Sequence, residues 1–424
     1  MEGLLNQLQD NDMKVNCERL WATHMDAAEF TELGSPYTRR SFTPQYREMR
    51  NWLTDAFLEA GLKVKTDGAG NLHGIYSGTS DRNFVVGSHT DTVPCGGRFD
   101  GISGVLTFLE IARCMKEAGF IPCKNIVGID FLAEEPSEFR LSCIGSRLAT
   151  GNFTNEMLNL QHRESGMLLS EAIQEWGGNL SLLSPGCPLF DTATFDGFLE
   201  LHIEQGPVLE NENLDVGLVT GICSVTRYDF SVQGRADHAG NTPMDTRSDA
   251  VVAASKVIDA ISEIAQGTLS QKTYFTATVG KVDIFPNGSN IIAERVDFTL
   301  DIRSEDNLLV QECLESIFAS ASAIAKLTNT TIEHIKISQG RPSISDGTLL
   351  SVLEKKAKEL GLGYTKMLSG AGHDAAYMST IMPMAMIFIP CKGGRSHSNS
   401  EYSSKHQIEK GANLLLKSLV ELTS

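Results

Sequence analysis

The sequence lacks the features of a disulfide-rich or membrane-spanning protein. Its nine cysteines are scattered singly without a CxxC pair, which is typical of reduced thiols. No apolar run approaches the roughly 18 residues that a membrane span needs. The N-terminal stretch MEGLLNQLQDNDMK does not show the basic-then-apolar order of a signal peptide. We therefore expect a cytoplasmic protein without a membrane partner.

Basic residues are also scarce. The chain has 36 Lys and Arg against 53 Asp and Glu, a formal net charge of -17. Phosphate contacts need a basic face, so this balance argues against a nucleic-acid partner. A composition of 41% hydrophobic and 21% charged residues indicates a globular chain. At 424 residues, the chain is too long for one ordinary core, which predicts two or three domains.

The hydrophobic patterns divide the chain into three segments. Residues 1–216 alternate helix patterns such as GVLTFLEIARCMKEAG with apolar strand patterns such as NFVVGSHTD and KNIVGIDF, which indicates a mostly parallel sheet covered by helices. Residues 217–330 show period-2 strands and two long helices, which predicts an inserted α+β sandwich. Residues 331–424 return to the α/β pattern. The predicted fold is therefore α/β with an inserted α+β domain.

Titratable or polar residues follow four of the predicted apolar strands. These residues are His89, Asp91, Asp100, Glu134, Glu135, His202, Glu204, Gln205 and His397. Each strand end alone has an ordinary explanation, such as a turn-capping acid at Asp91 or a solvated charge at Glu134. Four such ends together indicate one site, because ligands gather beyond the carboxyl ends of strands in open α/β sheets.

The residue types indicate a metal-dependent hydrolase. Three histidines with carboxylates suit Zn²⁺, Mn²⁺, Co²⁺ or Ni²⁺ better than Mg²⁺ or Ca²⁺, which prefer oxygen ligands. Glu134 and Glu135 point to opposite sides if the chain is extended there. One carboxylate can then bind metal while the other faces a bound water. Metal-assisted hydrolysis requires both, because the metal lowers the pKa of the water and a carboxylate accepts its proton.

Seven segments in order, GSHTDTV…GGRFDG, EE, HIEQG, DHAGNTPM, DIRS, SGAGHDA and SHSNSE, resemble the M20 metallopeptidase-like amidohydrolases. The branch they resemble contains N-carbamoyl-L-amino-acid hydrolases, allantoate amidohydrolases and β-ureidopropionases. The resemblance covers most of the chain. It implies a metal-dependent exopeptidase-like catalytic domain, an inserted lid and dimerisation domain, and a homodimer with two divalent ions per chain.

The resemblance also implies roles for individual residues of the metal site. His89 and His202 would bind one ion, Glu135 and His397 the other, and Asp100 would bridge both. Glu134 would be the general base and Asp91 would hold the outer nitrogen of His89. A cis peptide bond is expected between Asp100 and Gly101.

Further residues would bind a small carboxylate substrate. By resemblance, His238 would stabilise the substrate oxyanion, often across a dimer interface. Asn290 and Arg303 would hold the substrate carboxylate, although an ordinary turn residue and a surface arginine are the alternatives. Gln205 would contact substrate beside His202, whereas His373 would either contact substrate or orient its loop.

The leading hypothesis is hydrolysis of an N-carbamoyl-L-amino acid to the amino acid, CO₂ and ammonia. Allantoate or an N-acyl amino acid are the alternative substrates, and a ligand-binding protein without catalysis is the alternative class. Pro136 stands where this branch has a glycine after the acids, and Arg395 has no assigned role. The exact substrate, its stereochemistry and the native metal stay open.

Overall fold

The computed structural model describes residues 13–270 and 273–424, without the side chain of residue 270. Residues 1–12, which carry most of the stretch considered for a signal peptide, lie outside this range. The chain forms two compact units. The first contains the chain up to Thr220, Ile344–Met367 and His373–Ser424, and the second contains Gly221–Ser343 and Leu368–Gly372.

The first unit is built on a nine-stranded sheet. Its strands are β1 (Lys63–Thr66), β2 (Leu72–Tyr76), β3 (Asn83–His89), β4 (Asn125–Phe131), β5 (Phe195–Ile203), β6 (Val216–Ile222), β11 (Ser343–Ile344), β12 (Tyr364–Ser369) and β13 (Met384–Ile389). The order is β1-β2-β4-β3-β5-β13-β6-β11, with β12 also paired to β6. The four central strands β4, β3, β5 and β13 are mutually parallel. Their carboxyl ends therefore meet at one edge of the sheet.

Helices surround this sheet. They are α1 (Cys17–Ala28), α2 (Pro44–Glu59), α3 (Ile102–Ala118), α4 (Ile144–Ala149), α5 (Leu169–Glu175), α6 (Val208–Asn211), α9 (Gly347–Glu359), α10 (Asp374–Met378) and α11 (Lys405–Thr423). The central strands are buried on both faces, as the near-continuous apolar runs predicted. The predicted α/β fold with a mixed, mostly parallel sheet is confirmed.

The second unit is a four-stranded antiparallel sheet covered by two helices. Its elements are β7 (Ser224–Gln233), α7 (Ala250–Gly267), β8 (Phe275–Phe285), β9 (Arg295–Ser304), α8 (Asn307–Thr328) and β10 (Thr331–Gln339). The sheet order is β10-β7-β9-β8. Alternate residues of β7 and β9 are buried, so the period-2 pattern places one face of the sheet against the helices.

The predicted inserted segment, residues 217–330, differs from the second unit at its far end. The strand β10 follows residue 330 and pairs with β7 over its whole length. The unit also takes in Leu368–Gly372. The pattern TIEHIKISQ, in which Ile335 and Ile337 alternate with polar residues, was the signal for this strand, although its residues are nearly all exposed.

The helix α8 has the length and composition of a membrane span, with 22 residues and an 18-residue stretch whose mean hydropathy is 1.3. In the second unit its apolar face packs against the sheet. Leu314 and Ile317 belong to the same buried cluster as Phe230 and Phe298. This packing accounts for the apolar composition of the helix.

A buried histidine of the first unit creates a dependence of stability on pH. His24 on α1 is fully buried, with its ring 6.0 Å from that of Phe99. Its Nδ1 lies 2.8 Å from the Leu20 carbonyl oxygen, and Nε2 has no hydrogen-bond partner among the described residues. Burial lowers the pKa of His24 to about 4, opposed in part by the hydrogen bond to Leu20.

We predict that replacing His24 by Leu removes part of the acid sensitivity of folding. Between pH 6.5 and 4 the unfolded chain binds this proton and the folded chain does not, so His24 destabilises the fold as the pH falls through that window. The contribution is about 3 kcal/mol at most. Urea unfolding of wild type and variant at several pH values measures it, with partly exposed His162→Leu as the control. Equal loss of stability in wild type and His24→Leu would contradict the prediction.

Candidate active site

The predicted metal ligands lie together at the carboxyl edge of the first unit's sheet. His89 ends β3, Glu134 and Glu135 follow β4, and His202 lies near the end of β5. His397 lies in the loop that follows β13. Because these strands are parallel, their tips bring the side chains to one edge of the sheet.

Asp100 lies at the centre of this group. Its Oδ1 is 3.0 Å from His202 Nε2 and 3.7 Å from His89 Nε2. Its Oδ2 is 3.3 Å from His397 Nε2, which is also 3.2 Å from Glu135 Oε1. The side chains therefore form two donor groups that share Asp100, each with its ligand atoms within 4.8 Å of one another. All five predicted ligands are brought together, with His89 and His202 in one group and Glu135 and His397 in the other, as predicted.

The charges of the site suit divalent cations. Many carboxylates of the site are buried: Asp91, Asp100, Glu134, Glu135, Glu200, Asp374 and Glu401. Burial disfavours the Asp100 carboxylate, but His202 and His397 outweigh burial and hold the pKa of Asp100 well below its usual range. Contacts with Asp100 and Glu135 raise the pKa of His397 to about 11. A donor set of imidazoles and carboxylates with this excess of negative charge fits two ions of the Zn²⁺, Mn²⁺, Co²⁺ or Ni²⁺ type.

Glu134 lies beside both donor groups without belonging to either. Its Oε2 is 3.6 Å from His89 Nε2, and its Oε1 accepts a hydrogen bond from the Cys143 thiol at 3.2 Å. Burial raises the pKa of Glu134 well above its usual value, opposed by His89 and increased by the neighbouring Glu135. The residue is 8% exposed, which excludes the solvated strand-end charge considered as its alternative.

Asp91 joins the tips of β3 and β4. Its two carboxylate oxygens accept hydrogen bonds from the backbone N–H groups of Glu134 and Glu135, each at 3.2 Å. His89 Nδ1 lies 3.5 Å from the Asp91 carboxylate and 3.1 Å from its carbonyl oxygen. Asp91 therefore lies against the outer nitrogen of His89, as predicted, and also fixes the backbone of both glutamates.

Gln205 and His373 contact the metal-site residues directly. Gln205 Nε2 donates to Asp100 Oδ2 at 2.7 Å, so this side chain orients the shared carboxylate. The His373 ring lies 4.5 Å from the His202 ring in a T-shaped contact and is 2% exposed. Their predicted substrate contacts stay predictions.

The peptide bond between Asp100 and Gly101 is trans, so the predicted cis bond is wrong. Among the described residues the cis bond is Phe285–Pro286. The chain enters α3 instead through Gly101, which has a φ of +65° and donates its N–H to His202 Nε2 at 3.1 Å. A side chain there would come within 2.2 Å of His89, so the close approach requires glycine.

The sequence did not reveal the role of Glu401. Its Oε1 accepts hydrogen bonds from the backbone N–H groups of Phe99 and Asp100, at 2.7 and 3.2 Å. Its Oε2 accepts from Ser396 Oγ at 2.9 Å, and that hydroxyl also lies 2.6 Å from Asp100 Oδ2. Burial raises the pKa of Glu401 to about 7, with Asp100 adding to the effect. One carboxylate thus connects the Asp100 loop to the His397 loop.

Glu200 and Asp374 are two further residues that the sequence did not reveal. Glu200 lies two residues before His202 on β5 and accepts hydrogen bonds from Ser88 Oγ and the Ala375 N–H, at 2.9 and 3.2 Å. Ser146 Oγ hydrogen-bonds Asp374. The acidic residue inside the apolar strand LELHI was the signal that could have identified Glu200, because residues i and i+2 share a face.

Two residues with unresolved roles lie on loop surfaces. Pro136 follows the two glutamates and is exposed. The loop that it begins closes at Cys143, whose N–H donates to the Glu134 carbonyl oxygen at 2.7 Å. Arg395 is exposed and its Nη1 donates to Ser400 Oγ at 3.3 Å.

Within the second unit, His238 and Asn290 are neighbours and Arg303 is the next-to-last residue of β9. The Ala239 N–H donates to the Asn290 carbonyl oxygen at 3.0 Å. His238 Nδ1 accepts from the N–H groups of Gly240 and Asn241, each at 3.1 Å. The Nε2 atom is therefore the donor of this imidazole, which suits a contact with an oxyanion.

Arg303 is held in place by two neighbours. Its Nε donates to Asp301 at 2.8 Å and its Nη1 to the Gly370 carbonyl oxygen at 2.9 Å. The side chain is 33% exposed, so solvent reaches part of it. This arrangement fixes the direction of the guanidinium group.

Comparison with known proteins gives relatives along nearly the whole chain. An N-carbamoyl-L-amino acid amidohydrolase of Geobacillus stearothermophilus is 36% identical over 96% of this chain and 99% of its own. A ureidoglycolate hydrolase of Arabidopsis thaliana is 32% identical over 94% and 85%. An allantoate amidohydrolase of Bacillus subtilis is 33% identical over 91% and 92%.

Solved structures agree with these relatives. A hydantoinase/carbamoylase family amidase of Burkholderia multivorans has a TM-score of 0.87 at 31% identity, covering 97% of this chain and 98% of its own. AtUAH in complex with (S)-hydroxyglycine has a TM-score of 0.84 at 30% identity, covering 98% and 99%. The sequence profile of peptidase family M20/M25/M40 matches residues 85–421. The chain therefore belongs to peptidase family M20/M25/M40, among its metal-dependent amidohydrolases that cleave non-peptide C–N bonds.

Proposed function

We propose that the chain hydrolyses the ureido C–N bond of an N-carbamoyl-L-amino acid, giving the amino acid, CO₂ and ammonia. The observation that carries this proposal is the position of Glu134 beside two donor groups that share Asp100. The relatives with this activity support the substrate class. A second candidate substrate is ureidoglycolate, because two relatives are named ureidoglycolate hydrolases.

The proposed metal site consists of His89 and His202 for one ion, Glu135 and His397 for the other, and Asp100 between them. Bound divalent ions would polarise the scissile carbonyl group and lower the pKa of water. Asp91, Gln205 and Glu401 hold these ligands in place through the hydrogen bonds described above. Fixed ligands reduce the reorganisation that the reaction would otherwise need.

Glu134 is the proposed proton carrier. Its carboxylate takes a proton from the attacking water and returns it to the leaving nitrogen, so the residue acts first as base and then as acid. Its burial and the neighbouring Glu135 favour the protonated form, which is the form needed for the second step. The Cys143 thiol holds one carboxylate oxygen and leaves the other for proton transfer.

Five further residues are proposed to contact the substrate. His238 would donate its Nε2–H to the carbonyl oxygen as negative charge develops there. Arg303 and Asn290 would bind the substrate carboxylate, for which a guanidinium group offers a bidentate geometry. His373 and Gln205 would contact the substrate beside His202.

We further propose that the enzyme is a cytoplasmic homodimer associated through the second unit. Its sheet ends in the edge strand β8, on which Val282 and Phe285 are 45% and 40% exposed. Exposed apolar edge strands favour pairing with another chain. The nine cysteines are free thiols, which suits a reducing compartment.

We predict that Glu134→Gln lowers kcat on the preferred ureide by about 10²–10⁴-fold, the typical contribution of general acid–base catalysis. Ammonia release is measured with N-carbamoyl-L- and D-amino acids, N-carbamoyl-β-alanine, ureidoglycolate and allantoate, with Mn²⁺, Co²⁺, Ni²⁺ or Zn²⁺ added separately. N-acetyl and N-formyl amino acids are followed by amine release. Metal content of the variant should equal that of wild type.

The substrate pattern decides between the candidates. Hydrolysis of carbamoyl amino acids supports the leading proposal, and hydrolysis of ureidoglycolate alone supports the second. Cleavage of acyl amino acids with inert ureides would contradict the proposed substrate and retain the hydrolytic mechanism. Full activity of Glu134→Gln would contradict the role of Glu134.

We predict that Glu401→Ala lowers metal affinity by about 10–100-fold, as loss of a residue supporting metal ligands typically does. The substitution removes the hydrogen-bond acceptor of the backbone N–H groups of Phe99 and Asp100, and it removes the hydrogen bond from Ser396. Equilibrium dialysis against Zn²⁺ or Mn²⁺ measures the affinity, and Glu212→Ala, an exposed turn residue, is the control. Unchanged affinity in a folded Glu401→Ala protein would contradict the role of Glu401.

A further inference from the structure

A second cluster of metal-ligating side chains lies in the first unit, apart from the active-site groups. It contains Cys17, the first residue of α1, and His406 and Glu409 near the beginning of α11. One ligand atom from each residue lies within 4.8 Å of the other two. None of the three belongs to the donor groups around Asp100.

The helix α11 fixes two of these donors relative to each other. His406 and Glu409 are three residues apart and therefore share one face of the helix. His406 Nδ1 lies 3.3 Å from Glu409 Oε2. Separations of this size suit two ligands of one ion, because zinc bonds to histidine nitrogen and carboxylate oxygen are each about 2.0–2.2 Å long.

Contacts on both sides of Cys17 hold it against α11. Its Sγ lies 3.7 Å from the Lys405 carbonyl oxygen. The Val15 N–H donates to Asn413 Oδ1 at 3.1 Å, and Glu18 pairs with the Lys405 side chain. The helix α1 thus supplies Cys17, and the helix α11 supplies His406 and Glu409. The backbone of each donor residue is fixed by its helix.

The donor types select the metal. A sulfur, a nitrogen and an oxygen donor suit zinc-class ions, whereas Mg²⁺ and Ca²⁺ prefer oxygen alone. One thiolate and one carboxylate neutralise the two charges of the ion. Cys17 and Glu409 are partly buried and His406 is exposed, which leaves an open coordination position for water.

We propose that Cys17, His406 and Glu409 bind a zinc-class divalent cation that clamps the beginning of α1 to the beginning of α11. Binding releases the thiol proton to solvent and involves no redox change. The site lies outside the proposed hydrolytic centre, so it does not rest on the proposed function. Loss of this ion leaves the chemistry of the active site in place.

Titration of the metal-free, full-length protein with Co²⁺ tests the proposal, because a cysteine ligand gives a thiolate-to-Co²⁺ charge-transfer band in the near ultraviolet. We expect the band in wild type, in Cys123→Ser and in Cys143→Ser, and its loss in Cys17→Ser. Cys123 is an exposed control and Cys143 tests the thiol near Glu134. Added Zn²⁺ should abolish the band by competition.

A second variant covers the case in which Cys17→Ser does not fold. His406 is exposed, so His406→Ala should fold normally and weaken Co²⁺ binding at this site by more than about tenfold, the loss caused even by an outer partner of a metal ligand. Zn²⁺ should raise the melting temperature of wild type more than that of His406→Ala. No band in wild type, a band that survives Cys17→Ser or is lost in Cys143→Ser, or unchanged Co²⁺ affinity in His406→Ala would overturn the proposal.

Discussion

The shared carboxylate of Asp100 is the contact on which the rest of the active site depends. Three histidines approach its two oxygens, and Gln205 and Ser396 hold one of those oxygens from the side. Burial of so many acids in one place is unfavourable unless positive charge compensates them. Divalent ions are the compensation that this donor set of imidazoles and carboxylates fits. The same negative charge that makes the site costly therefore makes it selective for cations.

The sheet turns four separate segments of sequence into this one site. Parallel strands place their last residues at a common edge, while the loops beyond them determine where each side chain points. Asp91 fixes the loop after β4 through two backbone hydrogen bonds, and Glu401 fixes the loop before α3 in the same way. Each acid thus acts on the backbone that carries a ligand. Such contacts explain why residues without a metal-ligand role are as buried as the ligands.

The fold and the clustering of the five proposed metal ligands could be predicted from the sequence, because strand ends and titratable residues are local patterns. Glu401 and Asp374 were missed in their roles because their partners lie far away in sequence, whereas the acid inside the apolar strand LELHI was a local sign of Glu200 that the prediction did not use. The strand β10 was missed because it lacks the continuous apolar run of the central strands, although Ile335 and Ile337 alternate with polar residues. The expected cis bond before Gly101 came from resemblance alone, whereas here a positive φ at that glycine makes the turn. Residues at strand ends were thus easier to predict than residues that hold the site through partners distant in sequence.

Anomalous X-ray diffraction from crystals grown with Zn²⁺ or Mn²⁺ tests the central claim most directly. The account predicts two anomalous peaks on either side of the Asp100 carboxylate. One should lie against His89 and His202, and the other against Glu135 and His397. Fewer than two peaks beside Asp100, whatever is found at Cys17, or peaks that leave Asp100 without contact to both ions, would contradict the account of a carboxylate shared by two cations.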